Sequence, residues 1–203
     1  MSDRSQTKLP VQYMTRIAIL AALSAVLFLV LEIPIFGNIY KLDFSNLPVL
    51  LAAFSMGPVP ALITLAIKDV IHLIIKGMGT SVGIGDLADF IMTAAFVLPA
   101  ALIYGRNKSR RSALIGMVCG TVAMAAVALL VNGLMLFPFY MSAYHMDLAA
   151  IAGALGASAD AGMTTLLLTT TLPFNLLKGV VLCLLTYLIY KPLSPVLHVK
   201  KGR

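Results

Sequence analysis

The chain reads as an all-α integral membrane protein: a bundle of six transmembrane helices, the second of them short, with both termini cytoplasmic. Three observations predict this. Of 203 residues, 60% are hydrophobic and only 23 are charged, 15 basic and 8 acidic, where a soluble domain of this length carries about 50. The apolar residues fall in long runs that meet the length needed to cross a bilayer. The basic residues fall in short clusters between those runs, as they do in membrane topology. An ordinary soluble domain and a disordered chain are excluded. Six helices of about 20 residues use roughly 120 residues, which leaves no room for a soluble catalytic domain and excludes a twelve-helix carrier. A nucleic-acid binder would gather its net charge of +7 into a groove-reading patch, so no nucleic-acid partner is expected.

Residues 1–12 read as a cytoplasmic tail, with no cleavable signal following them. Helix 1 covers the uncharged run Ile17–Leu31. Phe44–Ile67 is also uncharged, but Gly57-Pro58-Val59-Pro60 interrupts it, and an interior proline removes a backbone hydrogen bond. The run therefore splits into a short helix 2, about Asn46 to Ser55, and helix 3, about Pro60 to Ile75. Gly77, Gly79, Gly83 and Gly85 mark a loop over 76–85. Helix 4 spans about Asp86 to Tyr104, and a basic hinge follows at 106–111. Helix 5 runs from about Ser112 to Phe137, long enough to tilt. Residues 141–164 form either a structured loop or an interfacial helix. Helix 6 covers about Leu172 to Tyr190, with Pro173 in its first turn, and 192–203 reads as a second cytoplasmic tail. The whole, 1–203, is taken as one membrane-embedded domain.

Arg4, Lys8 and Arg16, then Arg106, Lys108, Arg110 and Arg111, then Lys191, Lys200, Lys201 and Arg203 hold 11 of the 15 basic residues. Six crossings put all three groups on one side, the cytoplasm by the positive-inside rule. Cys119 and Cys183 sit in separate apolar runs without a C-x-x-C and read as buried thiols, so no metal site is expected.

Ionisable groups in a bilayer face a cavity or each other. Lys68, Asp69 and His72 stand at i, i+1 and i+4 and share a helix face, either as an ion-pair network that locks packing or as a proton relay. Asn175 and Lys178, at i and i+3, point the same way, and about 30 Å of rise carries Asn132 to the same outer level. Two amides and an ammonium there suit a polar, planar ligand; the alternative is that each only glues helices together. Tyr40, Phe137, Phe139, Tyr140 and Tyr144 read as an interfacial aromatic belt. Ala18-x-x-x-Ala22 and Ala21-x-x-x-Ala25 are small-residue spacings that allow close helix approach. No P-loop, G-x-S-x-G or H-E-x-x-H is present, so an enzyme is not expected.

As a set, Lys41-Leu42-Asp43-Phe44-Ser45-Asn46-Leu47-Pro48, Met56-Gly57-Pro58, Ile67-Lys68-Asp69, Gly85-Asp86-Leu87-Ala88-Asp89-Phe90, Pro173-Phe174-Asn175-Leu176-Leu177-Lys178-Gly179 and Tyr190-Lys191-Pro192-Leu193-Ser194-Pro195 resemble one family. It is the riboflavin-specific substrate-binding (S) components of energy-coupling factor (ECF) transporters. The resemblance implies a vitamin pocket open to the outside, made by the helix 1–2 loop and helices 4 to 6. It implies riboflavin as transported ligand, with no cofactor, held by residues among Glu32, Leu42, Asp43, Asn132, Asn175 and Lys178. An amide can pair in both directions with the alternating donors and acceptors of a flavin edge, an ammonium can donate to its carbonyl, and a carboxylate can accept from N–H or hydroxyl groups. Ala18, Ala21, Ala22 and Ala25 are then the face that docks on a membrane transducer bearing two cytoplasmic ATPase subunits. The runner-up is a solitary proton-coupled carrier using Asp69 and His72.

Overall fold

Helix α1, Val11–Val30, turns Ile17, Ala21, Ser24 and Ala25 inward, a spacing that keeps one face in register. The structure, a computed structural model, describes residues 11–37, 39–77 and 83–197, with side chains to 189. The expected tails lie outside these residues except for the backbone of 11–12 and 192–197, as does the middle of the glycine loop. After α1 come strands β1, Ile33–Phe36, and β2, Tyr40–Leu42, which pair antiparallel with Ile33 opposite Leu42. Then follow helices α2, Asn46–Met56, α3, Pro58–Lys76, and α4, Ile84–Arg106. Helix α5 comprises Arg110–Val131, a π-helical turn Asn132–Leu136, and Phe137–Ala143. A short helix α6, Leu148–Ala154, lies within 141–164. Helix α7 comprises Met163–Leu166, a π-helical turn Leu167–Thr171, and Leu172–Leu197.

Among the described residues, five helices are long and apolar enough to cross a membrane, and α2 is a shorter apolar helix. Their large apolar side chains populate the surface, Ile19, Leu23, Val122, Leu134 and Leu184 among them. That suits a bundle whose solvent is lipid, where a helix satisfies its own backbone groups.

Several boundaries differ from the sequence expectation. Helix α3 starts at Pro58 rather than Pro60, because both prolines fit a first turn whose N–H groups have no helical partner anyway. Gly57 before it takes φ 100°, a conformation that favours glycine. Helix α5 continues past Phe137 to Ala143, and α7 begins at Met163, not Leu172. Both extensions carry the same device. Pro138 and Pro173 each follow a π-helical turn by two residues. A proline ring clashes with the carbonyl four residues back. In each case that carbonyl lies in the widened turn, where Phe137 N–H reaches Asn132 O and Leu172 N–H reaches Leu167 O. The prolines thus widen the helices without ending them.

One core cluster gathers Leu50, Phe54, Leu65, Phe96, Tyr104, Met117 and Leu182. Within it α4 and α5 pack closely, because a Cβ on Gly120 would meet Phe96 O at 2.2 Å; small residues permit such approach in lipid. The second cluster, Tyr40, Phe137, Ile151, Leu155, Leu166 and Phe174, lies around the hairpin. Of the two thiols expected in the core, Cys183 is buried but Cys119 is exposed. An apolar thiol can face lipid as readily as protein.

Candidate functional site

The hairpin, α6 and the adjoining ends of α3, α4, α5 and α7 enclose a cavity of about 570 Å³, within the roughly 300–1,000 Å³ of small-ligand sites. Phe28, Tyr40, Tyr140, Tyr144, Met92, Met124 and Phe174 supply apolar wall; Thr93, Asn175, Lys178 and Asp89 supply polar wall; Glu32, Lys41, His72 and Asp86 complete it. Such a mixture of aromatic surface and a few placed polar groups is the usual makeup of a small-molecule pocket.

Gly37 and Tyr40 fix the hairpin over this space. Gly37 has φ 55°, and a Cβ there would sit 1.8 Å from Ala154 O, so the turn docks against the end of α6 only because it lacks a side chain. The Tyr40 ring stacks on Phe174, centroids 5.0 Å apart. Its hydroxyl donates to Asn132 Oδ1 at 2.8 Å and lies 2.6 Å from Thr171 Oγ1. Asn132 opens the π-helical turn of α5 and Thr171 closes that of α7, so one phenol ties together the two places where the helices widen. Burial of the Tyr40 phenol pushes its pKa up, with the Thr171 hydrogen bond opposing; it stays a donor at any working pH. The belt expected from sequence is therefore corrected for Tyr40 and Phe137, which are buried, and for Tyr140 and Tyr144, which line the cavity. Tyr40 finds its partners on distant elements, which spacing does not reveal, whereas Tyr140 and Tyr144 pack on each other and on Phe139.

A chain of charges crosses the polar side. Lys178 Nζ lies 2.9 Å from Asp43 Oδ2 and 3.3 Å from Asp89 Oδ1. Asp89 Oδ2 takes Lys68 Nζ at 2.5 Å, and Lys68 lies 2.8 Å from Asp69 Oδ1. Lys68 is fully buried and rests 4.3 Å over the Phe28 ring, a cation–π placement. Asp43 is anchored by Ser45 N at 2.9 Å and by the Ser45 hydroxyl. Removing one partner from a buried pair leaves the other charge uncompensated, at about 3–5 kcal/mol, so these groups hold α3, α4, α7 and the loop before α2 together.

A second cluster sits at the base of the hairpin. Glu32 receives Lys41 at 2.9 Å and Lys76 at 2.6 Å. Burial pushes the Glu32 carboxyl up, but hydrogen bonds from Lys76 and Lys41 outweigh it and hold the carboxyl below its ordinary range. His72 stacks on Phe28 at 3.9 Å and places Nδ1 2.5 Å from Asp86 Oδ1.

The residues singled out from sequence separate into two groups. Glu32, Asn175 and Lys178 line the cavity. Asn132 is fully buried behind Tyr40, with its Nδ2 donating to Ala128 O at 2.8 Å. Asp43 and Leu42 are also buried, Asp43 behind Lys178. Asn175 donates to Thr171 O at 2.9 Å and keeps acceptor and donor capacity for the cavity. Asp69 and His72 turn to different partners: one faces Lys68, the other Asp86 and Glu32. The four alanines of α1 divide as well. Ala21 and Ala25 are buried, Ala18 and Ala22 exposed. The four span only about 100° of the helix circumference, and the boundary between interior and surface runs through that stripe, so Ala21 and Ala25 are corrected to interior positions. Sequence reasoning missed Asp89 and Thr93 as wall residues. Thr93 accepts from Asn46 Nδ2 at 3.0 Å. Their signal was the presence of an acid and a hydroxyl on one helix at i and i+4.

A family model described as ECF transporter, substrate-specific component, matches residues 12–190. The riboflavin transporter RibU of Staphylococcus aureus (strain TCH60) is 31% identical over 191 residues, 92% of this chain and 94% of that protein. The riboflavin transporter FmnP of Bacillus subtilis (strain 168) is 29% identical over 184 residues, 89% and 92% of the two chains. A solved structure of the S component of a bacterial ECF transporter superposes with a TM-score of 0.73 at 27% identity, covering 94% of this chain and 100% of that one. With the match running from the first turn of α1 to the interior of α7, the chain belongs to the substrate-specific component family of ECF transporters.

Proposed function

We propose that this chain binds riboflavin from the outer side of the cell membrane and delivers it to the cytoplasm in complex with a transducer and two ATPase subunits. The observation that carries this reading is the cavity of about 570 Å³, in which Phe174, Tyr140 and Tyr144 face the same space as Asn175, Thr93 and Lys178. Riboflavin is uncharged, with an apolar aromatic end and an edge of alternating donors and acceptors. The aromatic side chains cover its rings, while Asn175 and Lys178 meet its polar edge. Glu32 accepts from its hydroxyls. Asn132, Leu42 and Asp43 act from behind the wall, Asn132 through Tyr40 and Asp43 through Lys178. The relatives named as riboflavin transporters support the choice of vitamin.

Counting α2 as a crossing beside the five long helices gives six, with both termini and the basic 106–111 linker on the cytoplasmic side and the hairpin outside. Ala18 and Ala22, exposed one turn apart on α1, offer the close-approach surface for a transducer helix. Hydrolysis of ATP belongs to the partner subunits. The purified protein should be yellow, and stripped protein should quench flavin fluorescence on titration. A colourless protein without quenching removes the substrate assignment, and uptake by the chain alone removes the partnership.

A further inference from the structure

Lys178 is the ammonium on the polar wall of the cavity, and it is not a free cation. Of its three donors, one meets Asp43 at 2.9 Å and one meets Asp89 at 3.3 Å, which leaves one for a ligand. Asp43 stands behind the wall, whereas Asp89 shares it with Lys178. The other Asp89 oxygen is held by Lys68 at 2.5 Å, and Lys68 has no exposed surface and no place on the wall. Two lysines thus face three carboxylates, Asp43, Asp69 and Asp89. Elsewhere Lys41 on the wall shares Glu32 with Lys76, which lies off the wall, and Asp86 beside His72 adds a further acid that brings the carboxylates of the whole network to five against four lysines. An anionic ligand therefore meets no uncompensated positive charge among the described wall residues.

We infer that Asp89 sets the charge selectivity of the cavity: its carboxylate cancels the Lys178 ammonium, so the site takes an uncharged flavin in preference to the same flavin carrying a phosphate. The inference rests on the riboflavin reading above. Asp89 is a positioning and charge-balancing residue, held by Lys68 from behind and holding Lys178 in front. Buried as they are, these charges are little screened by salt, so one unit of charge acts on a ligand phosphate across the cavity. At about 10 Å and an effective dielectric near 20, that is roughly tenfold in relative affinity for each charge on the phosphate.

The test compares riboflavin with riboflavin 5′-phosphate, each titrated by fluorescence quenching into ligand-free purified protein at about pH 8, where the phosphate carries nearly two charges. Wild type should prefer riboflavin. Asp89→Asn keeps the shape and removes the charge, and should move the preference on the order of a hundredfold toward the phosphate ester. Lys68→Met removes a positive charge that does not touch the cavity, and should move the preference the opposite way. The double variant should return it to near the wild-type ratio. A purely structural role would change both affinities by one factor and leave their ratio alone, and that result in Asp89→Asn overturns the inference. If Asp89→Asn fails to fold, Lys68→Met still decides: an unmoved ratio overturns it. Wild type that binds neither flavin overturns the riboflavin reading along with the inference, whereas wild type that binds riboflavin while the variants keep its ratio overturns the inference alone.

Discussion

Tyr40→Phe removes a single oxygen and tests whether the hairpin is pinned through the two widened helical turns. The ring and its stacking on Phe174 remain. What is lost is the donor to Asn132 Oδ1 at 2.8 Å and the partner of Thr171 Oγ1 at 2.6 Å, both residues being fully buried. Thr171 can turn its hydroxyl toward its own helix, as Thr170 does toward Leu166 O, so its share is small. Asn132 Oδ1 has no such freedom, because Nδ2 is fixed on Ala128 O. A buried acceptor left without a donor costs about 1–3 kcal/mol. That weakens hairpin docking by roughly 5- to 150-fold. The assay is amide hydrogen exchange in detergent or lipid nanodiscs, read over residues 33–42. Exchange there should accelerate by that factor while the core of α4 and α5, built on Phe96 and Met117, stays protected. If the hairpin exchanges as in wild type, or if all helices loosen equally, the phenol is not the pin.

Asn175→Ala should weaken riboflavin binding by about 5- to 150-fold through an unpaired polar ligand group with a small change in melting temperature. Lys178→Ala should lower both, because it also strips Asp43 and Asp89 of a partner; equal melting of the two variants contradicts the charge chain. Ala18→Trp and Ala22→Trp should keep flavin binding and lose co-purification with the transducer, whereas Ala21→Trp should disturb the fold itself, since Ala21 is 1% exposed. For Glu32 the folded carboxyl lies below its ordinary value of 4.5. Its contribution is therefore fully present above that value and is lost as pH falls through the lowered one. Hairpin protection should decline only in strong acid, and Lys76→Met should shift that decline to higher pH; a decline centred near neutrality refutes the assignment to Glu32.

The long helices were legible because lipid demands continuous apolar runs, which composition alone displays. The charged cluster Lys68, Asp69 and His72 was legible as a cluster, since helical spacing fixes which side chains share a face. Its partners were not. Asp89, Asp43 and Lys178 lie on three other segments, and nothing in local pattern says that Lys68 and Lys178 meet the same carboxylate. Tyr40 was misread for the same reason: an aromatic between two helices looks interfacial until Asn132 and Thr171 arrive from far along the chain. Pro173 looked like a helix start because the widened turn that accommodates it has no sequence signature beyond the proline.

The charge chain also carries a consequence for biogenesis. Helices α3 and α4 leave the ribosome one after the other, and Lys68 with Asp89 can neutralise each other as that hairpin enters the bilayer. Asp43 is made before both, yet its partner Lys178 belongs to the last helix. Until α7 arrives, Lys68 alone faces Asp43, Asp69 and Asp89 in a nearly finished bundle, Asp43 with no ammonium against it, and insertion of α7 is what brings the second one. Chains truncated before residue 163 should therefore insert α3 and α4 stably but remain prone to degradation, and Asp43→Asn should relieve that sensitivity in the truncated chain. Pulse-chase measurement of the two truncated forms checks this; equal lifetimes would show that the final helix locks the fold by packing and not by charge.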